Sequence, residues 1–335
     1  MVAVQESGGQ PVSIATIVAR PETANACLGL IEIIGLAGER MGWQSAVQLV
    51  LLAAIWGSSF MFMRVAVDEF GVPLLTELRL LLAAIFLAIV ALITKRVLNA
   101  RQYWRYFLVV GLLNSALPFL LYSYAATQLS VAMMAILNAT APMWGSVVNA
   151  VDQKRLPQKS EVFGLLLGIS GVVILTSDGA WQASTLGLLA AGFAAFCYAL
   201  ASNYASKRGK AAGAFGNAHG CLWAAAILLM PLQPTNLPDA LPSLNSSLAV
   251  LALGIVCSGV AYLLYFRLID QVGATSALSV AYLIPLFGML WGWWFLGESI
   301  GWHTLLGGLV VVSGTMLITG FNPLQWFKQR RRAHG

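Results

Sequence analysis

Residues 130–150 read SVAMMAILNATAPMWGSVVNA and residues 273–293 read GATSALSVAYLIPLFGMLWGW; laid over one another without a gap, Pro142 falls on Pro285 and Gly145 on Gly288. The match continues at the same offset, with Gly164 on Gly307, Ser170-Gly171 on Ser313-Gly314 and Thr176 on Thr319. Self-similarity at so long a period means two copies of one unit, not a short solenoid repeat. The turns after the two proline segments differ in charge. The first carries Lys154, Arg155 and Lys159, the second Glu298 and no base. Copies that face opposite ways across a bilayer are a signature of secondary transporters.

Composition sets the surroundings. Hydrophobic residues make up 59% of the 335 and charged residues 10%, against about 45–50% and about 25% in soluble domains. Such an excess leaves too little polar surface to cover a soluble core. Runs of about 20 apolar residues, long enough to cross about 30 Å of hydrocarbon, recur along the chain. An all-α membrane protein, with the lipid bilayer as partner, follows. The net charge of +6 does not point to nucleic acid, because the bases sit in short clusters between apolar runs and read as orientation signals. Cys197, Cys221 and Cys257 fall within apolar runs and Cys27 before them, with no CxxC or His/Cys ligand spacing, so neither a metal nor a cofactor is expected.

The apolar runs give ten expected spans, at roughly 44–65, 74–94, 106–125, 130–150, 161–177, 185–206, 213–231, 247–266, 274–296 and 302–320. Five fall in each half, and an odd number per copy inserts the second copy upside down. With the start of the first span cytoplasmic, the inner loops carry Lys95, Arg96, Arg101, Arg105, Lys154, Arg155, Lys159, Lys207, Arg208, Lys210, Arg267 and the bases of the tail. The outer loops carry no Lys or Arg but do hold Asp68, Glu69, Asp178, Asp239 and Glu298. Positive charge inside therefore places both termini in the cytoplasm. The expected organisation is a leader over 1–40, disordered or an over-long start before Met41, then repeats over 41–181 and 182–320, then a basic cytoplasmic tail over 321–335.

The layout and several local strings resemble the drug/metabolite transporter superfamily, specifically its EamA-type ten-helix members. The resemblance covers about residues 43–320 and is carried by Trp56-Gly57-Ser58-Ser59, by Arg79 leading the second span, by the proline-then-glycine helices of each half, and by Gly297-Glu298. It implies alternating-access transport, mostly export of amino acids, metabolites or amphipathic compounds, at a bacterial inner membrane. The first-half counterpart of Glu298, often acidic in that family, is Arg155 here. That weakens Glu298 as half of a symmetric functional pair.

Ionisable groups within hydrocarbon need a reason. Arg64, Glu77 and Arg79 fall near one another at the outer ends of the first two spans. Arg79 either snorkels beside a carboxylate or faces the pathway and attracts an anionic group. Glu77, the only acid well within a span, is the first proton-coupling candidate, and His219 in the seventh span the second. His303 and His334 have no ligand-like neighbour. Pro142 and Pro285 each remove a backbone hydrogen bond, and paired interruptions of this kind point to a midplane site. Asn138 before the first proline, Tyr282 before the second, Asn114 in the third span, and Trp56, Ser59, Tyr198 and Tyr262 complete the expected substrate-binding set. The glycine-rich fifth and tenth spans read as packing struts. Trp291, Trp293 and Trp294 read as an interfacial belt.

The function class expected is a secondary transporter of a small molecule, with protons as a possible second cargo. A sugar or nucleotide-sugar carrier of the same superfamily is the alternative, and would call for more cavity bases than Arg79. No GxxxxGK[ST], HExxH or GxSxG string occurs, which argues against ATP-driven transport and intramembrane catalysis. A receptor or scaffold is excluded by no motif, but has no need of paired proline kinks. Oligomeric state is not legible.

Overall fold

The computed structural model describes residues 43–177, 185–209, 212–233, 241–273 and 277–319. The leader, the tail and the loop residues Asp178, Lys210 and Asp239 lie outside them. All regular secondary structure among the described residues is helical. In chain order the helices are α1 (Trp43–Phe70), α2 (Val72–Ile93), α3 (Ala100–Ala126), α4 (Val131–Asp152) and α5 (Lys159–Leu175). There follow α6 (Thr185–Arg208), α7 (Gly213–Leu232), α8 (Leu244–Val272), α9 (Val280–Leu296) and α10 (Trp302–Thr319). Eight of them are long and apolar enough to cross a membrane; α9 is apolar but shorter, and α5 has 17 residues.

Local chemistry sets the ends. Gly71 takes a positive φ and Pro73 opens α2, which lets the chain reverse after α1 within one residue. Ser130 caps α4 by accepting from Met133 N, and Ser243 caps α8 by accepting from Ser246 N. Gln158 and Glu161 form a capping box on α5. Two helices carry a wide π turn, α3 over Leu112–Ala116 and α8 over Ala252–Val260.

Large apolar side chains such as Leu166, Ile169, Leu305 and Leu309 are exposed on the outside, while many alanines pack with Leu, Met and Ile side chains inside. That is the distribution expected where the surroundings are lipid. One core cluster joins α1, α3, α4, α6 and α8, and another joins α2, α3 and α7.

α5 and α10, the last helices of the two copies, pack on one another more closely than side chains allow. A Cβ on Gly171 would stand 2.8 Å from the Gly307 carbonyl oxygen, and one on Gly307 would stand 2.8 Å from that of Gly171. Gly164 and Gly314 meet in the same reciprocal way, at 2.7 and 2.6 Å. Gly164 is the sequence counterpart of Gly307, and Gly171 of Gly314. Each contact is therefore the mate of the other, as two antiparallel equivalents about a two-fold axis require. The two repeats are inverted with respect to one another.

The loops sort accordingly. At one end of the bundle the α6–α7 turn meets the α4–α5 turn through Lys207 and Asp152, and Arg96 lies over the Phe215 ring. At the other end Glu69 accepts from the backbone and hydroxyl of Ser243, Gln128 accepts from Gly187 N, and Glu298 accepts from Val131 N.

Candidate functional site

Arg79 does not snorkel. Its side chain turns into the bundle, where the residue is 4% exposed. Nε donates to Ser258 Oγ at 3.1 Å, Nη1 reaches Met63 Sδ at 3.5 Å, and the guanidinium carbon lies 3.7 Å over the Phe119 ring. No carboxylate pairs with it among the described residues. Ser258 can hold Nε because it sits in the π turn of α8, where its own hydroxyl donates to the carbonyl of Leu253. Tyr198, Cys257 and Tyr262 stand close enough to interact with the Arg79 charge.

A polar and aromatic lining continues from this point. Asn114, in the π turn of α3, donates to the Tyr262 hydroxyl at 3.1 Å. The rings of Tyr122 and Tyr198 stack at 6.4 Å, Phe60 meets Tyr122 edge-on, and the Tyr122 hydroxyl donates to Asn138 Oδ1 at 3.2 Å. Tyr198 packs against both core clusters yet keeps some exposure.

Arg79, Asn114, Asn138, Tyr198 and Tyr262 are thus brought to one interior region. Trp56 stands at its side, its ring 5.2 Å from that of Tyr265 on α8, and Ser59 is buried on the same helix. Tyr282 lies elsewhere, its hydroxyl bonded to Thr319 at the end of α10. Glu77 is two residues from Arg79 on α2, about 200° around the helix axis, and the two form no ion pair. It is 4% exposed, and neither carboxylate oxygen has a partner among the described residues. Arg64 pairs with Asp68 instead. His219 is buried on α7, accepting from Trp223 through Nε2 while Nδ1 has no partner. Trp291 is an interior residue whose Nε1 donates to the Ala54 carbonyl; Trp293 and Trp294 are exposed.

The two prolines behave differently. Before Pro142, α4 breaks at Ala139 and Thr140, and Thr315 of α10 donates to the Ala139 carbonyl. Pro285 sits inside an uninterrupted α9.

Phe119, Ser258, Tyr122 and Tyr265 were missing from the expected site, and one signal would have found them. Extended upstream at the same offset, the repeat places Ser115 on Ser258, Phe119 on Tyr262 and Tyr122 on Tyr265. It also overlays the two π turns, a distortion that often marks functional positions.

α4 and α9 cross beside this region, and the crossing is unequal. A Cβ on Gly288 would overlap that of Ala135, and Gly292 abuts Val131. Glu298 adds hydrogen bonds to Val131 N at 2.8 Å and Ala132 N at 3.5 Å, so the second repeat holds the start of α4. Gly145, the counterpart of Gly288, has no neighbour within 4 Å of where a Cβ would stand.

Two halves of one inverted unit, apolar outside and polar within, match a family profile twice, over residues 44–177 and 185–320, described as the EamA-like transporter family. The chain belongs to the EamA-like transporter family. It is a membrane transporter. Among similar proteins, this EamA-like chain is 22% identical to the uncharacterized transporter YdfC of Bacillus subtilis, over 79% of this chain and 87% of that one. It is 25% identical to the protein PagO of Salmonella typhimurium, over 81% and 91%. It is 26% identical to the uncharacterized inner membrane transporter YedA of Escherichia coli, over 81% and 89%. A solved crystal structure 21% identical shares the fold, with a TM-score of 0.56 over 80% of this chain and 94% of that one.

Proposed function

We propose that this protein is a secondary transporter of ten spans that exports small metabolites, amino acids or amphipathic compounds, by alternating access at the inner membrane of a bacterium. Two inverted five-helix units, 41–181 and 182–320, form it, with both termini cytoplasmic. The α4–α9 crossing carries this reading: equivalent glycines are closed at the Glu298 end and open at the Gly145 end, beside a buried polar region. A two-fold pair with one end shut is what rocking of one repeat against the other produces. The basic loops lie at the open end, so the positive-inside rule makes it cytoplasmic and this conformation inward-facing. A scaffold has no use for such an asymmetry. A nucleotide-sugar carrier would need more than one buried base against its phosphates.

Within this reading Arg79, Asn114, Asn138, Tyr198 and Tyr262 bind the cargo, with Trp56 and Ser59 beside them. Tyr282 instead ties the start of α9 to the end of α10. Glu77 couples transport to protons, because its carboxylate is buried within a span and has no partner among the described residues; His219 is the second candidate. Flux through Glu77→Gln is expected to lose its response to an imposed pH gradient, and an unchanged response would remove Glu77 from the mechanism.

The deciding experiment is efflux of a labelled panel of amino acids, toxic analogues, organic monocarboxylates and lipophilic cations from cells expressing the protein, beside Arg79→Ala and Asn138→Ala. Selective efflux of one class, lost in both variants, is expected. No efflux of any compound, with the protein in the membrane, would overturn the reading.

A further inference from the structure

The Arg79 guanidinium is incompletely used. Of its five N–H groups, one on Nε goes to Ser258 and one on Nη1 to a thioether sulfur, a weak acceptor. No other acceptor in the protein meets it among the described residues. Phe119 covers one face at 3.7 Å, so a ligand must come to the Nη edge, in the guanidinium plane. That edge is the one that takes a carboxylate in bidentate fashion. Among the described residues Asp68 pairs with Arg64, Glu69 accepts from Ser243, Asp152 pairs with Lys207, Glu161 pairs with Arg155 and Glu298 accepts from the start of α4. Glu77 faces away from Arg79. A buried cation with no counter-charge costs several kcal/mol in such a setting, and an anionic cargo would remove that cost.

The rest of the lining limits what the anion is attached to. It offers the half-buried Tyr198 ring, backed by the buried Tyr122, and the Tyr262 and Asn114 polar groups. Among the described residues no carboxylate stands there to hold an ammonium group, and the Phe119 face is occupied by Arg79. Among the described residues no second base stands there to hold a dianion.

We infer that the cargo of this site is an organic monocarboxylate with a flat apolar or aromatic body, held by Arg79 at its carboxylate and against the Tyr198 and Tyr262 rings at its body, and that an α-ammonium group weakens binding. The inference rests on the transporter reading for its use of the site, and makes the substrate an acid rather than an amino acid.

Three related probes test it on the purified full chain: 3-phenylpropanoate, phenylalanine and phenethylamine, which carry the carboxylate alone, both charges, and the ammonium alone. Binding is followed calorimetrically in detergent, and transport by counterflow in proteoliposomes. 3-Phenylpropanoate is expected to bind, phenylalanine about tenfold more weakly because its ammonium finds no partner, and phenethylamine not at all. Arg79→Gln should lose 3-phenylpropanoate by about tenfold or more, with Arg79→Lys in between. If Arg79→Gln does not fold, the order of the three probes on the unaltered protein decides. Equal or tighter binding of phenylalanine or phenethylamine overturns the inference, as does failure of 3-phenylpropanoate to bind. Binding of 3-phenylpropanoate without counterflow upholds the site and instead overturns the transporter reading.

Discussion

The two ends of the α4–α9 crossing are built from equivalent residues and are in opposite states. At one end Gly288 and Gly292 press on Ala135 and Val131, and Glu298 accepts from the first amides of α4. At the other end Gly145 faces open space, and Arg155, the counterpart of Glu298, turns back into its own repeat. There it makes two 2.7 Å bonds to Glu161, which hold its pKa above the usual arginine value. The difference is chemical as well as conformational. A carboxylate accepts from the unpaired N–H groups of a helix start, whereas a guanidinium has donors only. Arg155 therefore cannot close the second end as Glu298 closes the first. A shared repeat fixes where the two ends can meet; the two side chains decide how firmly each meeting is held.

The largest expected effects test the symmetry on which the comparison rests. Gly171→Val and Gly314→Val both place methyl groups inside the α5–α10 crossing, where backbone already stands within 3.0 Å of a Cβ. Overpacking of this kind costs about 1–3 kcal/mol or more, and both variants should lose melting temperature in detergent to a similar degree. If only one suffered, the two-fold reading of the seam would break. The α4–α9 pair should behave otherwise. Gly288→Val has no room and should lower the melting temperature, whereas Gly145→Val fits the present state and should leave it within a few degrees. Its flux should nonetheless fall about tenfold or more, because the added branches obstruct closure at the open end. Normal flux in Gly145→Val would show that this end never closes.

Some of this was legible in the sequence and some was not, for identifiable reasons. The helices, their apolar outside and the doubled unit follow from runs of apolar residues and a constant offset. Arg79 stood out because a guanidinium in an apolar run is costly wherever it points. Its partners did not, since Ser258 and Phe119 come from other helices, and Ser258 is presented by a π turn that periodicity does not reveal. Glu298 looked like a surface residue of a turn. Its role depends on Val131, which is 167 positions away and reached only through the packing of one repeat on the other. Pro142 and Pro285 read alike, yet only α4 breaks. The second repeat supplies Thr315 to accommodate a freed carbonyl of α4, and the counterpart of Thr315 in the first repeat is Val172, which has no hydroxyl.

Glu298→Ala should release the start of α4 at a cost of about 1 kcal/mol, leaving Ser130 as its only side-chain cap. That corresponds to about fivefold more of the open form at this end. A single cysteine in place of Ala135, in a background without the native cysteines, reports it through its rate of alkylation, which should rise by about that factor. Arg155→Ala should leave the rate unchanged, since its bonds stay within the first repeat. Equal acceleration by both would mean that the two turns act together, against the one-sided latch.

The smallest effect is expected from Thr315→Val, which makes the second repeat match the first at this position. The Thr315 hydroxyl stands 2.9 Å from the Ala139 carbonyl and 3.0 Å from its own helix at Val311. Its single hydrogen is shared between them, so removing it should cost no more than about 1 kcal/mol. The start of α4 keeps both Glu298 and Ser130, so alkylation at position 135 should rise less than in Glu298→Ala. If Thr315→Val instead opened this end as far as Glu298→Ala does, the closed state would depend on the break before Pro142 rather than on the helix start, and the latch would have to be moved from the turn to α10.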